Sequence, residues 1–228
     1  MPDMPGMDMG SMGGMAPARG AWSLAILGQI IARWWVMMIA MMTPSAAPAV
    51  LLYARVFRHS QAQAQSSGKL APTGVFVAGY LLAWLVFSIL ATASQWLLAH
   101  AGLISNILMS SQNRWLSSAL LLGAGGYQFT PLKRACLSHC RTPTSFLTHN
   151  WRPGAAGALR LGVLHGAYCV GCCAVLMALL FVGGIMNLVW IAVLAVLILL
   201  EKTIRSGRLV GYAVGGVLLA WGIATLVV

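Results

Sequence analysis

From Leu70 to Asn113 the chain carries no lysine, arginine, aspartate or glutamate, and Pro72 to about Ala99 is an unbroken apolar run. A run of that length crosses a hydrocarbon layer as a helix, which takes about 20 residues at 1.5 Å of rise each. Similar runs extend from Trp34 to about Val56, Arg114 to Thr130, Leu159 to Val182, the stretch ending near Glu201, and Leu209 to Val228. The whole sequence is 60% hydrophobic and 7% charged, whereas roughly a quarter of a soluble domain is charged. The fold class predicted is all-α, a polytopic membrane helical bundle with about six transmembrane helices. Residues 1–20 are expected to form a disordered Met-rich tail, and residues 21–228 an integral membrane helical domain.

The net charge of +11 fits this architecture without a nucleic-acid partner. Its basic residues cluster in alternate connections: Arg55, Arg58 and Lys69, then Lys133, Arg134, Arg141, Arg152 and Arg160, then Lys202, Arg205 and Arg208. Lys and Arg accumulate in cytoplasmic loops, so the alternation predicts an inner-membrane protein with both termini extracytoplasmic. The lipid bilayer is its expected surrounding. Trp22 to Ala32 reads as an interfacial helix separated by Arg33 from the first span, which Pro44 and Pro48 should kink. The tail has Asp3 and Asp8 and no positive charge before Arg19, so it is not expected to be a signal peptide.

All five cysteines lie between Tyr127 and Cys173. Their odd number and placement in or beside the bilayer argue for reduced thiols rather than a disulfide framework. Cys136 and Cys140 are one helical turn apart with His139 between them. His165, Cys169, Cys172 and Cys173 have the spacing i, i+4, i+7 and i+8, which puts an imidazole and three thiols on one helical face. By the helical rise that face lies roughly 10–20 Å above the cytoplasmic entry of its span. His165, Cys169 and Cys172 should form the ligand face, with Cys173 auxiliary. If the segment after Pro131 folds back, the two groups complete one site; otherwise they hold two. Thiolate and imidazole suit soft or borderline ions, Cu(I) or Zn. The competing explanation is that buried cysteine packs as a small hydrophobe.

Methionine adds to the soft-donor pattern. Met4, Met7, Met9, Met12 and Met15 recur two or three residues apart in the tail, a spacing that lets a flexible chain wrap thioethers around one ion. Thioethers suit Cu(I) far better than Zn. Met41 and Met42 pair with Met37 and Met38 at i, i+4 just before the prolines, where they either pass a soft cation inward or pack as core. Glu201, the only acidic residue beyond the tail, is expected to pair with Lys202, Arg205 or the basic segment 133–160. The sequence has no Gly-rich phosphate loop, no Ser/His/Asp set and no paired carboxylates, so hydrolytic and nucleotide-driven chemistry are not expected.

Three runs resemble one family. Met41-Met42-Thr43-Pro44-Ser45-Ala46-Ala47-Pro48, Tyr127 through Cys136, and His165-Gly166-Ala167-Tyr168-Cys169-Val170-Gly171-Cys172-Cys173 are similar to the signature blocks of a bacterial domain-of-unknown-function family of predicted metal-binding integral membrane proteins. Met186-Asn187 and Glu201-Lys202 resemble it as well. The resemblance covers roughly Trp34 to Val228 and implies a membrane location and a bound metal.

The leading functional expectation is a protein that handles Cu(I), with Zn as the alternative ion, taking it from the Met-rich side and holding or passing it through Cys and His. A membrane or periplasmic protein is the expected partner. Two competitors remain: a membrane thiol oxidoreductase using Cys172 and Cys173 or Cys136 and Cys140, and a helical scaffold subunit of a membrane complex.

Overall fold

The computed structural model describes residues 24–62, 72–103, 113–204 and 206–227. The methionines Met4, Met7, Met9, Met12 and Met15 lie outside the described residues. Among those described there is no strand; the chain folds into helices α1 (Leu24–Ala62), α2 (Thr73–His100), α3 (Arg114–Tyr127), α4 (Pro131–Arg141), α5 (Pro143–Asn150), α6 (Gly154–Ala178), α7 (Leu180–Gly183), α8 (Leu188–Thr203) and α9 (Gly207–Val227).

Four stretches are long and apolar enough to cross a membrane: Leu24–His59, Thr73–His100, Gly154–Gly183 and Gly207–Val227. Of the about six spans expected, these four meet the length in full, and the other two correspond to the shorter helices α3 and α8. α3 and α8 have 14 and 16 residues, or about 21 and 24 Å at the helical rise, short of a hydrocarbon layer of about 30 Å. The interfacial helix and first span expected on either side of Arg33 are one continuous helix, α1. Nothing between Ala32 and Trp34 breaks a helix, and Arg33 is exposed while Trp34 is buried. The helix also runs on through Pro44 and Pro48. Beside the prolines, Thr43 Oγ1 donates to Ile39 O at 2.5 Å and Ser45 Oγ to Met42 O at 2.9 Å.

The polar segment from Lys133 onward, read as a loop, contains α4 and α5. Both have clear start signals. Thr130 Oγ1 accepts from Lys133 N, Pro131 opens α4, and Pro143 opens α5. Proline at a first helical position loses no hydrogen bond and presets φ.

The closest helix pair is α2 with α6. A Cβ on Gly79 would overlap the Leu159 carbonyl, and one on Gly162 would overlap the Phe76 carbonyl, so the two backbones meet where side chains are absent. α3 packs along α9, tied by Ser118 and Thr225 hydroxyls 2.6 Å apart. α1 lies against α2: Trp34 Nε1 donates to Gln95 Oε1 at 2.8 Å and Trp35 Nε1 to Leu81 O at 3.1 Å. The enclosed core holds Trp34, Met38, Met42, Trp84, Leu121, Cys169, Cys172, Cys173 and Met177. Large apolar side chains also point outward, among them Leu82, Val86, Leu90, Val189, Leu209 and Val217.

Candidate metal centre

The centre is built on α6. Its buried positions Leu161, Gly162, His165, Gly166, Cys169, Cys172, Cys173 and Leu176 form one stripe, as the 3.6-residue period requires. His165 is 3% exposed and each of the three thiols 2% or less. The helical face expected from the spacing is therefore turned inward, against α1, α2, α4 and α8.

Each neighbouring helix brings a different group to it. From α2, Tyr80 Oη lies 3.3 Å from Cys169 Sγ and 3.4 Å from Met42 O. From α8, Lys202 Nζ lies 3.0 Å from Cys169 Sγ and 3.2 Å from Ser45 Oγ of α1. From α1, Met42 Sδ is 4.0 Å from Cys173 Sγ. The second cysteine pair does fold back: on α4, Cys140 makes thiol contacts with Cys169 and Cys172. Cys136 sits over Gly171, where an added Cβ would be 2.8 Å from its sulfur. Tyr127 Oη donates to the Gly171 carbonyl on the same side. Contact with Cys169 and Cys172, together with burial, pushes the Cys140 thiol well above its ordinary range, and burial raises that of Cys136.

The imidazoles are arranged separately. His165 is enclosed by Phe146, Tyr80 and Phe76 at ring-centroid distances of 5.4, 5.9 and 6.1 Å. Its Nδ1 is buried without a hydrogen-bond partner, an arrangement that costs about 1–3 kcal/mol. His139 instead stacks on Tyr168, with centroids 4.2 Å apart and planes 7° from parallel, and its Nδ1 is engaged by Ala135 O at 2.9 Å. It lines a polar cavity of about 380 Å³ that His149 also lines. Met41 is buried in the core beside Met42.

Among the described residues, no three His, Cys, Asp or Glu groups converge as a ready-made metal cage. The local reason is visible. Cys172 Sγ and Cys173 Sγ both turn back to Cys169 O, at 3.1 and 2.9 Å, and Cys169 Sγ is itself engaged by the Lys202 ammonium at 3.0 Å. All five cysteines are free thiols. Thiols, a thioether and an orphaned imidazole nitrogen nevertheless form a donor set of the soft kind that Cu(I) prefers.

A family model described as PpoB2, copper chaperone, matches residues 31–225, from within α1 to within α9. The chain belongs to this family. No curated protein and no solved structure matches the chain. The family's copper-related description agrees with the sulfur-rich interior, and the matched span includes every cysteine.

Sequence reasoning did not find three members of the centre. Lys202 enters the sequence reading as a loop cation and a candidate partner for Glu201, and Glu201 pairs instead with Lys133, from the basic segment 133–160 that was also expected, at 2.7 Å. Lys133 also donates to Gln128 Oε1. Tyr80 stood inside an apolar run, where its polar group was the available signal, and Ser45 lay within the run Met41 to Pro48 that carries the family resemblance.

Proposed function

We propose that this chain is a membrane-embedded copper chaperone that holds Cu(I) among Cys169, Cys172 and Cys140, with Cys173, Met42 and His165 at hand as further donors. The observation that carries the reading is the meeting of thiols from two helices far apart in sequence, Cys140 on α4 with Cys169 and Cys172 on α6. A sulfur that packs merely as a hydrophobe has no reason to find other sulfurs. Cys172 and Cys173 reach an inward-facing ion by rotating about χ1, exchanging a weak thiol hydrogen bond for a metal bond.

The outward-facing apolar side chains would meet lipid, in a bacterial inner membrane with both termini extracytoplasmic as the basic-loop pattern requires. Met4, Met7, Met9, Met12 and Met15 then collect Cu(I) outside, and Met41 and Met42 lead it in. Thiolate binds more strongly than thioether, so affinity rises along this path. Delivery is to a membrane protein. Cys136, His139 and the polar cavity beside it lie next to Cys140 and mark the side on which a recipient would approach. Zn is the competing ion.

Metal analysis of the purified protein under reducing conditions tests the proposal. Stoichiometric copper is expected in the parent chain, with strong loss in Cys169→Ser, Cys172→Ser and Cys140→Ser and little change in His149→Ala. Equal copper retention in all four variants would reduce the thiol cluster to packed helix surface.

A further inference from the structure

The chain has three acidic residues, Asp3, Asp8 and Glu201. Glu201 is engaged by Lys133, and Lys202, only 8% exposed, has no carboxylate partner among the described residues. Its polar contacts are Ser45 Oγ at 3.2 Å and Cys169 Sγ at 3.0 Å. A buried ammonium without a counter-charge is costly, and the groups around it that can carry negative charge are sulfurs. Resting on the copper reading above, we propose that Lys202 is the built-in counter-ion of a two-thiolate Cu(I) centre and sets its preference for a monovalent over a divalent ion.

The charge arithmetic is direct. A Cu(I) ion held by two of the thiolates of Cys169, Cys172 and Cys140 at a time carries one net negative charge, which the Lys202 ammonium cancels. Zn(II) on the same two thiolates is already neutral, and the ammonium beside it leaves one uncompensated positive charge. In a poorly polarisable interior such a difference matters. Removing the ammonium 3.0 Å from Cys169 Sγ therefore shifts the ratio of the two affinities toward Zn(II), because the ammonium opposes a divalent ion by one unit charge more than a monovalent one. A residue that served only to pack α8 against α1 and α6 would weaken both.

The experiment measures Cu(I) and Zn(II) affinity of the full chain in detergent by competition with chromophoric chelators, for the parent, Lys202→Met and Lys202→Arg. Lys202→Met is expected to shift the ratio of Cu(I) to Zn(II) affinity at least about tenfold toward Zn(II). Lys202→Arg, which keeps the charge, should stay within about threefold of the parent for both ions. The inference is overturned if Lys202→Met leaves the ratio of the two affinities unchanged. X-ray absorption of the copper-loaded parent gives an independent check should Lys202→Met fail to fold. Two short Cu–S bonds are expected, and three thiolate sulfurs would overturn the charge balance while leaving the copper reading standing. A parent chain that binds no Cu(I) overturns both.

Discussion

Lys133 and Glu201 form an ion pair across 2.7 Å with side chains 3% and 2% exposed, and they join α4, which carries Cys136 and Cys140, to α8, which carries Lys202. Changing Glu201 to Leu leaves the Lys133 ammonium buried with only Gln128 Oε1 to receive it. Changing Lys133 to Met strands a carboxylate whose Oε1 already lacks a hydrogen-bond partner. Breaking a buried pair from one side costs about 3–5 kcal/mol, because the remaining charge is uncompensated, whereas replacing both partners by apolar residues of similar volume is often neutral. At about 2–4 °C per kcal/mol for a chain of this size, each single variant should lower Tm by roughly 6–20 °C. The double variant Lys133→Met/Glu201→Leu should recover most of that loss. Thermal unfolding of the detergent-purified protein, followed by tryptophan fluorescence for all four members of the cycle, gives the coupling directly. Additive losses, with the double variant worse than either single one, would refute the argument that each partner is needed chiefly to neutralise the other.

Two further expectations concern the helix seam and the thiols. Gly162→Ala drives a methyl into the Phe76 carbonyl, a backbone atom that cannot rotate away, so it should destabilise by about 1–3 kcal/mol or more; Gly123→Ala, which meets nothing within 4 Å, should be neutral or slightly stabilising, and equal Tm values for the two would contradict the close α2–α6 contact. Burial first and Cys172 second raise the Cys136 thiol above its ordinary value of 9.0, so less of it is thiolate at neutral pH; site-resolved alkylation by a membrane-permeant maleimide should still be accelerating with pH at about pH 9, and a rate plateau near neutrality would show a lowered value instead.

The helical class and the apolar runs were legible because hydropathy and composition are local properties that a bilayer-length argument can use directly. The inward turn of His165, Cys169, Cys172 and Cys173 was legible for a similar reason, since the period of one helix fixes which of its residues share a face. The count of spans was less so: α3 ends at Tyr127, with Thr130 capping α4 shortly after, and a sliding sense of hydrophobicity does not see a cap. The partners of the ligand face were hardest. Whether Lys202 or its neighbour Glu201 meets the thiols depends on the rotation of α8 about its own axis, which is set by packing against α1 and α9 rather than by any pattern within α8. Cys140 presented the opposite case, where a turn signal at Pro131 and a helical spacing to Cys136 made a fold-back imaginable but left its depth undetermined.

The glycine contact between α2 and α6 sets part of the sulfur cluster apart from the rest. Cys169, Cys172 and Cys173 stand on a helix whose backbone is locked to its neighbour through Gly79 and Gly162, while Cys140 stands on an eleven-residue helix entered through Thr130 and left through Thr142. An ion shared between the two would be held from two separate helices. Release then need not be a single rupture of every bond: an incoming donor can take the place of Cys140 while Cys169 still holds, so that the ion is passed by exchange of one ligand at a time and is never free.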